Sequence, residues 1–508
     1  MNVLLEPKDQ AALSKGLIIL VFPRFKFGQY PIWLPLEIVT LGASLQAAGY
    51  QVRLIDERHI DDTYAAVQHE VGRALFVGVS ARPGDQVSRS LKIFETLKRH
   101  HPGIKSVWGG WFPSSYPDEC IACPDVDFVI RGPGDHAVVE LADALRGHGR
   151  VEVIKGLVFR GAAGVVNNGR RALEDLNTTS PIPWEALPID KYLTDDGCLS
   201  LYTSRGCPGT CRFCGVPTLF PGIWSGYRAE RVVDDVEHLY HRHGARIFKL
   251  LDTDFFPDYD RVKDICRGII ARDLQLKWIA DVRVKDMICF DDEMWDLLAR
   301  SGCAELETGA EAGDEQQLEL MHKECTADQI HVAVSRAVDR DICVRANFIL
   351  GLPKEGPREL RHTLALVHRL DALGPRVKFQ FYRFTPSPRT RFGAETWRLR
   401  NDRHDGQAPR DVASMLRVPI NHDEAEMFWL DRRQEHEVKR FYYTYLPLGY
   451  YLGREPGPGR WLVSAMGYIG RWRTRRGIGK LPFESWICRV FRIKLPRSRA
   501  FEWYQDLV

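Results

Sequence analysis

Three cysteines lie in one short stretch of the chain. In TSRGCPGTCRFCG, Cys207, Cys211 and Cys214 are spaced C-x3-C-x2-C directly after an apolar, strand-like run. Three thiolates this close together can bind one face of a [4Fe–4S] cube, and without a fourth cysteine one iron stays open to a small chelating molecule. A structural zinc ion is one alternative, although it takes four ligands and this loop has no histidine. Three unrelated buried thiols are another.

A second group of residues stands earlier in the chain. Ser80 and Arg82 close one apolar run, and Gly109-Gly110 close another after 26 intervening residues, 83–108. Glycines after a strand let a planar ligand or a nucleotide tail approach the backbone, because no Cβ intervenes. The RGPGD segment that begins at Arg131 can likewise donate backbone N–H groups to a ligand amide or phosphate. A plain helix N-cap turn is the alternative there.

Both groups follow elements that alternate between strand and helix. The first series has short apolar runs separated by segments of helical periodicity: LIILVF (17–22), QVRLID (51–56), ALFVGVS (74–80), IKSVWGG (104–110) and VDFVIRG (126–132). Strands buried on both faces and separated by helices predict an α/β fold with a parallel, doubly wound, Rossmann-like sheet. Ligands of such sheets bind beyond the carboxyl ends of the strands.

A second series of strands carries the cysteine loop. Six runs alternate with helical segments, at 199–204, 246–252, 276–281, 304–309, 342–350 and 377–384. Six β/α units favour a partial (β/α)6 barrel over a second open sheet, with its active site at the carboxyl ends of the strands. We therefore expect a ligand-binding domain at 1–159, a Pro-rich hairpin and linker at 160–197, the barrel at 198–392, and a helical carboxyl-terminal region at 393–508.

The cysteine loop resembles the CxxxCxφC signature of radical S-adenosylmethionine (SAM) enzymes, with Phe213 in the aromatic position. Three later strand ends resemble other motifs of that family: LLDTDFF (250–256), ETGAEAG (307–313) and FILGLP (348–353). The resemblance implies that the open iron binds the amino and carboxylate groups of SAM. It also implies that an electron from the reduced cluster cleaves SAM to methionine and a 5'-deoxyadenosyl radical. Cluster and SAM then supply the difficult chemistry, and the protein positions them and excludes water.

The same resemblance suggests residues that contact SAM. Phe213 would lie beside it, and Asp252 and Glu311, at strand ends, would bind its ribose or amino group. The alternative is that these carboxylates cap helices or pair with Arg283 or Arg345. Lys323 is expected to cap or solvate a helix.

The first series resembles cobalamin-binding domains. Ser80-Ala81-Arg82, the 26-residue interval and Gly109-Gly110 are similar to SxL-x(26–28)-GG, with Arg82 in place of the leucine. The resemblance implies cobalamin contacts from two strand-end loops and from a loop similar to GEGE: Ser80, Arg82, Gly109, Gly110, Trp111, Arg131 and Gly132.

Domains of this kind that supply a histidine to cobalt carry DxHxxG in the first β/α loop. In this sequence Pro35 stands at the histidine position. We therefore predict base-off, His-off cobalamin whose lower face is open, hydrated or covered by Arg82 or Trp33. His59 is expected to be a solvated loop residue. A nucleotide in place of a corrin is the alternative ligand of this sheet.

Together the resemblances indicate a cobalamin-dependent radical SAM enzyme, similar to the class B methyltransferases, that methylates an unactivated carbon. An oxidative cyclisation or rearrangement without methyl transfer is the first alternative, and a cofactor-binding or electron-transfer protein without catalysis is the second. We expect a small-molecule substrate, large and hydrophobic, and an external electron donor of the flavodoxin or ferredoxin type.

Composition sets the remaining bounds. The 508 residues include 70 Lys+Arg and 67 Asp+Glu, with 44% hydrophobic residues, as in ordinary globular proteins. No apolar run reaches bilayer length, and we expect a cytoplasmic protein. Ten basic residues and one acidic residue crowd 471–499. Together with the aromatic stretch 441–453, this tail predicts a cover over a bulky apolar substrate with an anionic edge, or peripheral contact with an anionic membrane at about 1 kcal/mol per basic residue. The alternative is a helical cap that faces water. Nucleic acid is not expected, because the charge is terminal.

Overall fold

The computed structural model of the protein describes residues 1–7, 14–25, 33–401, 427 and 429–440. The described residues form two compact units. Unit 1 comprises Met1–Thr210 and Cys214–Leu276, and unit 2 comprises Cys211–Phe213 and the described residues from Lys277 onward. Unit 1 therefore contains both the first sheet and the beginning of the second strand series.

An eight-stranded sheet forms the first part of unit 1, in the order β1-β3-β2-β4-β5-β6-β7-β8. Its strands are β1 (Asn2–Leu5), β2 (Leu17–Phe22), β3 (Gln51–Asp56), β4 (Ala74–Ser80), β5 (Lys105–Gly109), β6 (Phe128–Ile130), β7 (Leu157–Gly161) and β8 (Gly164–Asn167). The five predicted strands are present and pair in parallel.

The edges of this sheet depart from the predicted parallel pattern. β1 runs antiparallel to β3, and β7 and β8 form a hairpin antiparallel to β6. A turn of two residues between β7 and β8 can only reverse the chain, whereas a parallel connection needs a long crossover. The sheet thus continues beyond residue 159, through the hairpin expected after it.

Six helices connect the strands of this sheet: α1 (Leu36–Ala47), α2 (Thr63–Val71), α3 (Asp85–His100), α4 (Trp111–Ser115), α5 (Pro117–Ile121) and α6 (Asp135–Leu145). All six residues of β2 are buried, as expected for a central strand. α3 buries Val87, Phe94 and Leu97, an apolar stripe at helical spacing. Burying each large apolar side chain contributes about 1.5–3 kcal/mol, and this core holds the strand ends in register.

The rest of unit 1 carries the flanks of the cysteine loop. Its strands are β9 (Cys198–Leu201), β10 (Ser204–Gly206), β11 (Trp224–Gly226) and β12 (Ile247–Leu250), and its helices are α7 (Val216–Leu219), α8 (Ala229–His243) and α9 (Tyr259–Ala271). β9 and β12 pair in parallel. β10 and β11 pair antiparallel, with Gly206 opposite Trp224, so the cysteines lie in the connection between two paired strands.

Unit 2 continues the alternation. β13 (Lys277–Val282), β14 (Cys303–Glu311), β15 (Cys343–Leu350) and β16 (Val377–Arg383) pair in parallel in that order. Its helices are α10 (Val284–Cys289), α11 (Asp292–Arg300), α12 (Glu315–Leu320), α13 (Ala327–Val338), α14 (Pro357–Asp371), α15 (Arg391–Asn401) and α16 (Arg432–Arg440).

All six strands predicted for the second series are therefore present, two in unit 1 and four in unit 2. The predicted α/β fold class is confirmed. Two helices, α15 and α16, represent the expected helical carboxyl-terminal region, whose remainder, including the basic tail, lies outside the described residues. No helix in the described part of the chain is long and apolar enough to cross a bilayer.

Candidate cofactor sites

The glycine pair after β5 is held tightly against the end of β4. Ser80 is directly opposite Gly109 in the parallel register. Gly110 has φ +96°, and a Cβ there would lie 2.7 Å from the backbone N and O of Ala81 and 2.8 Å from Ser80 Oγ. Phe112 N–H donates to the Ala81 carbonyl at 3.0 Å. Only glycine fits this backbone and its space.

The loop after β6 is joined to the same edge through Ser114. Gly132 N–H donates to Ser114 Oγ at 2.9 Å, and the Ser114 hydroxyl donates to the Gly110 carbonyl at 2.7 Å. Arg131 N–H donates to the Gly156 carbonyl at 2.7 Å. Trp111 is 40% exposed there. The structure thus brings the seven residues predicted for cobalamin to the carboxyl ends of neighbouring strands β4, β5 and β6.

Arg82 is directed by two partners. Its Nε donates to Glu37 Oε1 at 2.8 Å, and its Nη2 lies 3.3 Å from the Tyr202 hydroxyl. The Glu37 carboxylate raises the pKa of Arg82, so the guanidinium stays charged. Pro35 directly precedes α1, where Glu37 stands in the first turn. Pro35, which stands at the histidine position of the cobalamin motif, therefore directly precedes the helix whose Glu37 binds Arg82.

His59 is not the solvated loop residue that we predicted. Its ring lies edge-on against Tyr192, with 5.0 Å between ring centroids, and burial lowers its pKa. Tyr192 in turn donates to the buried Asp56 carboxylate at 2.9 Å. The linker packs onto the end of β3 and covers the histidine, a contact between residues far apart in sequence.

Backbone amides face two of the three predicted cluster thiols. Gly209 N–H points at Cys207 Sγ at 3.3 Å, and Val216 N–H at Cys214 Sγ at 3.4 Å. The Cys207 thiol also lies 3.7 Å from Asp254 Oδ2. N–H donors to sulfur stabilise thiolate and tune the potential of a bound cluster.

The three cysteines are half-buried thiols. Within the described residues, no three Cys, His, Asp or Glu side chains are grouped closely enough to hold a metal ion. Ligation of a cluster by Cys207, Cys211 and Cys214 therefore stays a prediction from spacing and donor chemistry.

Asp252 lies under the flank of the cysteine loop, in unit 1. Its carboxylate accepts from Thr203 N–H at 2.6 Å, from the Thr203 hydroxyl, and from the Ser204 hydroxyl at 2.8 Å. Arg261 donates to the Thr203 carbonyl at 2.8 Å. Burial raises the pKa of Asp252, although Arg261 and the hydrogen bonds oppose this. The arrangement favours a role in positioning β9 and β10 over direct contact with SAM.

Glu311 lies in unit 2, at a bulge where β14 ends. Its backbone φ is +62°, and its carboxylate accepts from Lys323 Nζ at 3.0 Å, with both side chains only 9% exposed. A Cβ on Gly309 would lie 2.0 Å from Glu311 Oε1 and 2.6 Å from Lys323 Nζ. Gly309 therefore makes the space that this pair occupies.

Lys323 corrects a prediction, because it neither caps a helix nor faces water. Burial opposes its charge, yet Glu311 raises its pKa above the ordinary value. In the same unit, burial raises the pKa of Cys211 and Lys323 counters it. Arg283 pairs with Asp286 at 2.8 Å, and Arg345 pairs with Glu305. Apart from the acidic residue at the strand end, nothing in the sequence indicated that Lys323 pairs with Glu311.

Half-buried Phe213 shares unit 2 with this pair. The preceding residue ties the segment to that unit, since Arg212 N–H donates to the Met321 carbonyl at 3.0 Å.

The residues present suit the implied cofactors. Three thiols with amide donors match a cluster with one open iron, and the Gly110 backbone leaves a Cβ-free approach at the sheet edge. A buried anion and cation at Glu311 and Lys323 suit a ligand that carries both charges, as the amino acid end of SAM does.

Comparison with known proteins agrees with this geometry. The family described as "B12 binding domain" matches residues 30–142, and "Radical SAM superfamily" matches residues 201–367. An uncharacterized methyltransferase of Pyrococcus horikoshii is 29% identical over 70% of this chain and 77% of its own length. The anaerobic magnesium-protoporphyrin IX monomethyl ester cyclase of Rubrivivax gelatinosus is 27% identical over 68% of this chain and 64% of its own.

A solved structure shares the fold. The radical S-adenosylmethionine methyltransferase TsrM of Kitasatospora setae, with cobalamin and a [4Fe–4S] cluster bound, superposes with a TM-score of 0.66 at 21% identity, over 78% of this chain and 76% of that one. Both matched families, the strand-end loops and the three-thiol spacing lead to one conclusion. The chain contains a B12-binding domain followed by a radical SAM domain.

Proposed function

We propose that this enzyme is a cobalamin-dependent C-methyltransferase that acts on an unactivated carbon. The observation that carries the proposal is the combination, in one chain, of the Gly110 backbone at the B12-binding sheet edge with the three-thiol loop. When bound, a reduced [4Fe–4S] cluster supplies the electron that cleaves one SAM, and cobalamin supplies a methyl group that a second SAM replaces. SAM alone is an electrophile and does not methylate such a carbon, so both cofactors have a task.

The residues of the chain bind and orient. Cys207, Cys211 and Cys214 would hold the cluster, with the Gly209 and Val216 amides fixing two of the sulfurs. Gly109, Gly110 and Gly132 would give the corrin close access to the backbone at the ends of β5 and β6.

Two charged pairs complete these contacts. Arg82, held by Glu37 and Tyr202, would cover the lower face of the corrin, where no histidine stands. Glu311 and Lys323 would bind the charged end of SAM, and Phe213 would pack beside it.

Isotope transfer tests methylation. Protein prepared anaerobically with reductant and cobalamin is given SAM labelled in the methyl group and a panel of large apolar substrates. The proposal expects label in a product together with 5'-deoxyadenosine. Product formed with 5'-deoxyadenosine but without label would overturn methyl transfer.

The cyclase relative favours a second candidate, an oxidative cyclisation without methyl transfer. It predicts unlabelled product in the same assay. An external reductant of the flavodoxin or ferredoxin type would supply electrons in either case. The expected membrane contact of the basic tail stays a proposal of its own, tested by sedimentation with anionic vesicles.

The cobalamin site is tested by Gly110→Ala. The added Cβ would meet backbone atoms of Ala81 at 2.7 Å and force an unfavourable φ, so we expect loss of cobalamin from purified protein, read from its absorbance. Gly103→Ala is the matched control, because a Cβ there meets nothing within 4 Å. Full cobalamin content in Gly110→Ala would contradict this site.

A further inference from the structure

Arg205 connects the strand that leads into the cysteine loop with the B12-binding sheet. It lies in β10, two residues before Cys207. Its guanidinium pairs with the Asp135 carboxylate, with 3.2 Å from Nη2 to Oδ1, and Nη2 also donates to Thr40 Oγ1 at 3.0 Å. Asp135 begins α6 and Thr40 belongs to α1, two helices of the first sheet. All these residues belong to unit 1.

We infer that Arg205 is a positioning residue that fixes the start of the cysteine loop against the B12-binding sheet, and so sets the separation between cluster and cobalt. The inference rests on the proposed function, because it needs both cofactors in one protein. Arg205 acts on the cysteine loop through the backbone of β10.

The pair is too buried to be an ordinary surface salt bridge. The Asp135 side chain is 5% exposed and that of Arg205 is 19% exposed. Burial works against the charge of Asp135, yet Arg205 holds its pKa below the usual range. A buried charge pair adds little net stability but strictly constrains the geometry of its two partners. Burying either charge without its partner costs free energy. Its two-point contact fits the planar fork of arginine and not the point charge of lysine.

The backbone after Arg205 transmits this placement. Gly206 has φ +87°, and a Cβ there would lie 2.1 Å from the Ile223 carbonyl oxygen, so β10 and β11 are in close backbone contact directly before Cys207. A movement of Arg205 would therefore displace Cys207 as well.

A second contact joins the same two regions. A Cβ on Gly215, the residue after Cys214, would lie 3.0 Å from the Trp111 ring. Trp111 follows the glycine pair predicted to approach the corrin. The cysteine loop thus meets the B12-binding sheet on both of its flanks, by a buried ion pair on one and by an aromatic ring on the other.

The test measures the separation of the two cofactors and not turnover. In protein loaded with cob(II)alamin and a cluster, the reduced cluster is a fast-relaxing spin that accelerates the relaxation of cob(II)alamin, seen as an increase in half-saturation power in electron spin resonance. The variants are D135N, R205K and the double variant D135N/R205Q, which replaces the charges by a neutral pair and so keeps the protein folded. E70Q is the matched control, since Arg53–Glu70 is a similarly half-buried pair of unit 1.

We expect D135N and D135N/R205Q to lose the relaxation enhancement while cobalamin and iron contents stay at wild-type values. R205K should retain part of it, and E70Q all of it. An undiminished enhancement in the double variant, with only a lower melting temperature, would overturn the inference and leave the proposed function intact. Wild-type protein that binds no cobalamin or no cluster would overturn the proposed function, and the inference with it.

Discussion

Asp252 in unit 1 and Glu311 in unit 2 are acidic residues at strand ends, and both were predicted to contact SAM. Their surroundings differ. Asp252 accepts hydrogen bonds from the backbone and hydroxyls of Thr203 and Ser204. Glu311 faces a single ammonium group, that of Lys323.

The difference separates two uses of a buried carboxylate. Hydrogen bonds from main-chain and short side-chain donors fix the local backbone, and the carboxylate oxygens that accept them are no longer available to a ligand. An ion pair on a long, rotatable lysine can open and exchange partners with a charged ligand. We therefore propose positioning for Asp252 and ligand binding for Glu311, and two experiments test this contrast.

Lys323→Met should have the largest effect. Removing the cation leaves the Glu311 carboxylate buried and uncompensated, which costs about 3–5 kcal/mol of unfolding free energy. SAM affinity should fall as well, and the double variant K323M/E311Q should recover stability but not SAM binding. Urea unfolding and SAM titration measure both. K285M, which breaks the exposed pair Lys285–Glu324, is the control. Equal losses of stability and SAM affinity in K323M and K285M would contradict a ligand-binding role for the Glu311–Lys323 pair.

Asp252→Asn should have a smaller effect of another kind. The new amide N–H₂ meets donors already present at Thr203 and Ser204, at a cost of about 1–3 kcal/mol. We expect lower iron content after reconstitution, because β10 leads into the cysteine loop, with unchanged SAM affinity in the fraction that carries iron. D258N replaces an exposed helix-capping carboxylate and serves as control. Full iron content with lost SAM binding would reverse our assignment.

Glu355 is another buried carboxylate of unit 2, and backbone amides are its hydrogen-bond donors. It accepts from Leu352 N–H at 3.3 Å and from Gly351 N–H, and burial raises its pKa from 4.5 to about 8. The folded state therefore binds this proton more tightly than the unfolded chain. Its stabilising contribution is complete below pH 4.5, declines by up to about 1.4 kcal/mol per pH unit, and is lost as the pH passes 8.

Glu355→Gln should flatten that pH dependence of urea unfolding, and E319Q, at an exposed position, should not. The same slope in wild type and E355Q would show that Glu355 is not the titrating group.

Sequence predicted the strands and the α/β fold well, because burial on both faces and short connections leave a local pattern. LIILVF was assigned to residues 17–22, where β2 lies. Ser80 and Gly109, singled out by their spacing, lie opposite each other at the ends of β4 and β5. The partners of buried charged residues could not be predicted from the sequence. Lys323 and Asp135 find their partners only after the chain has folded, 12 and 70 positions away, and no local pattern records such a pairing. His59 was misjudged for the same reason, since Tyr192 arrives from the linker.

The Asp135–Arg205 pair has a consequence for how this gene can be divided. A fragment that stops at residue 197 would still include the complete first sheet, yet it would leave the buried Asp135 carboxylate without its guanidinium partner. Solubility and ligand retention of such a fragment would then report a missing counterion, and not the intrinsic capacity of the amino-terminal half. Arg205 lies in the sequence range predicted for the barrel. The amino-terminal half nevertheless needs its guanidinium, which pairs with the buried Asp135 carboxylate.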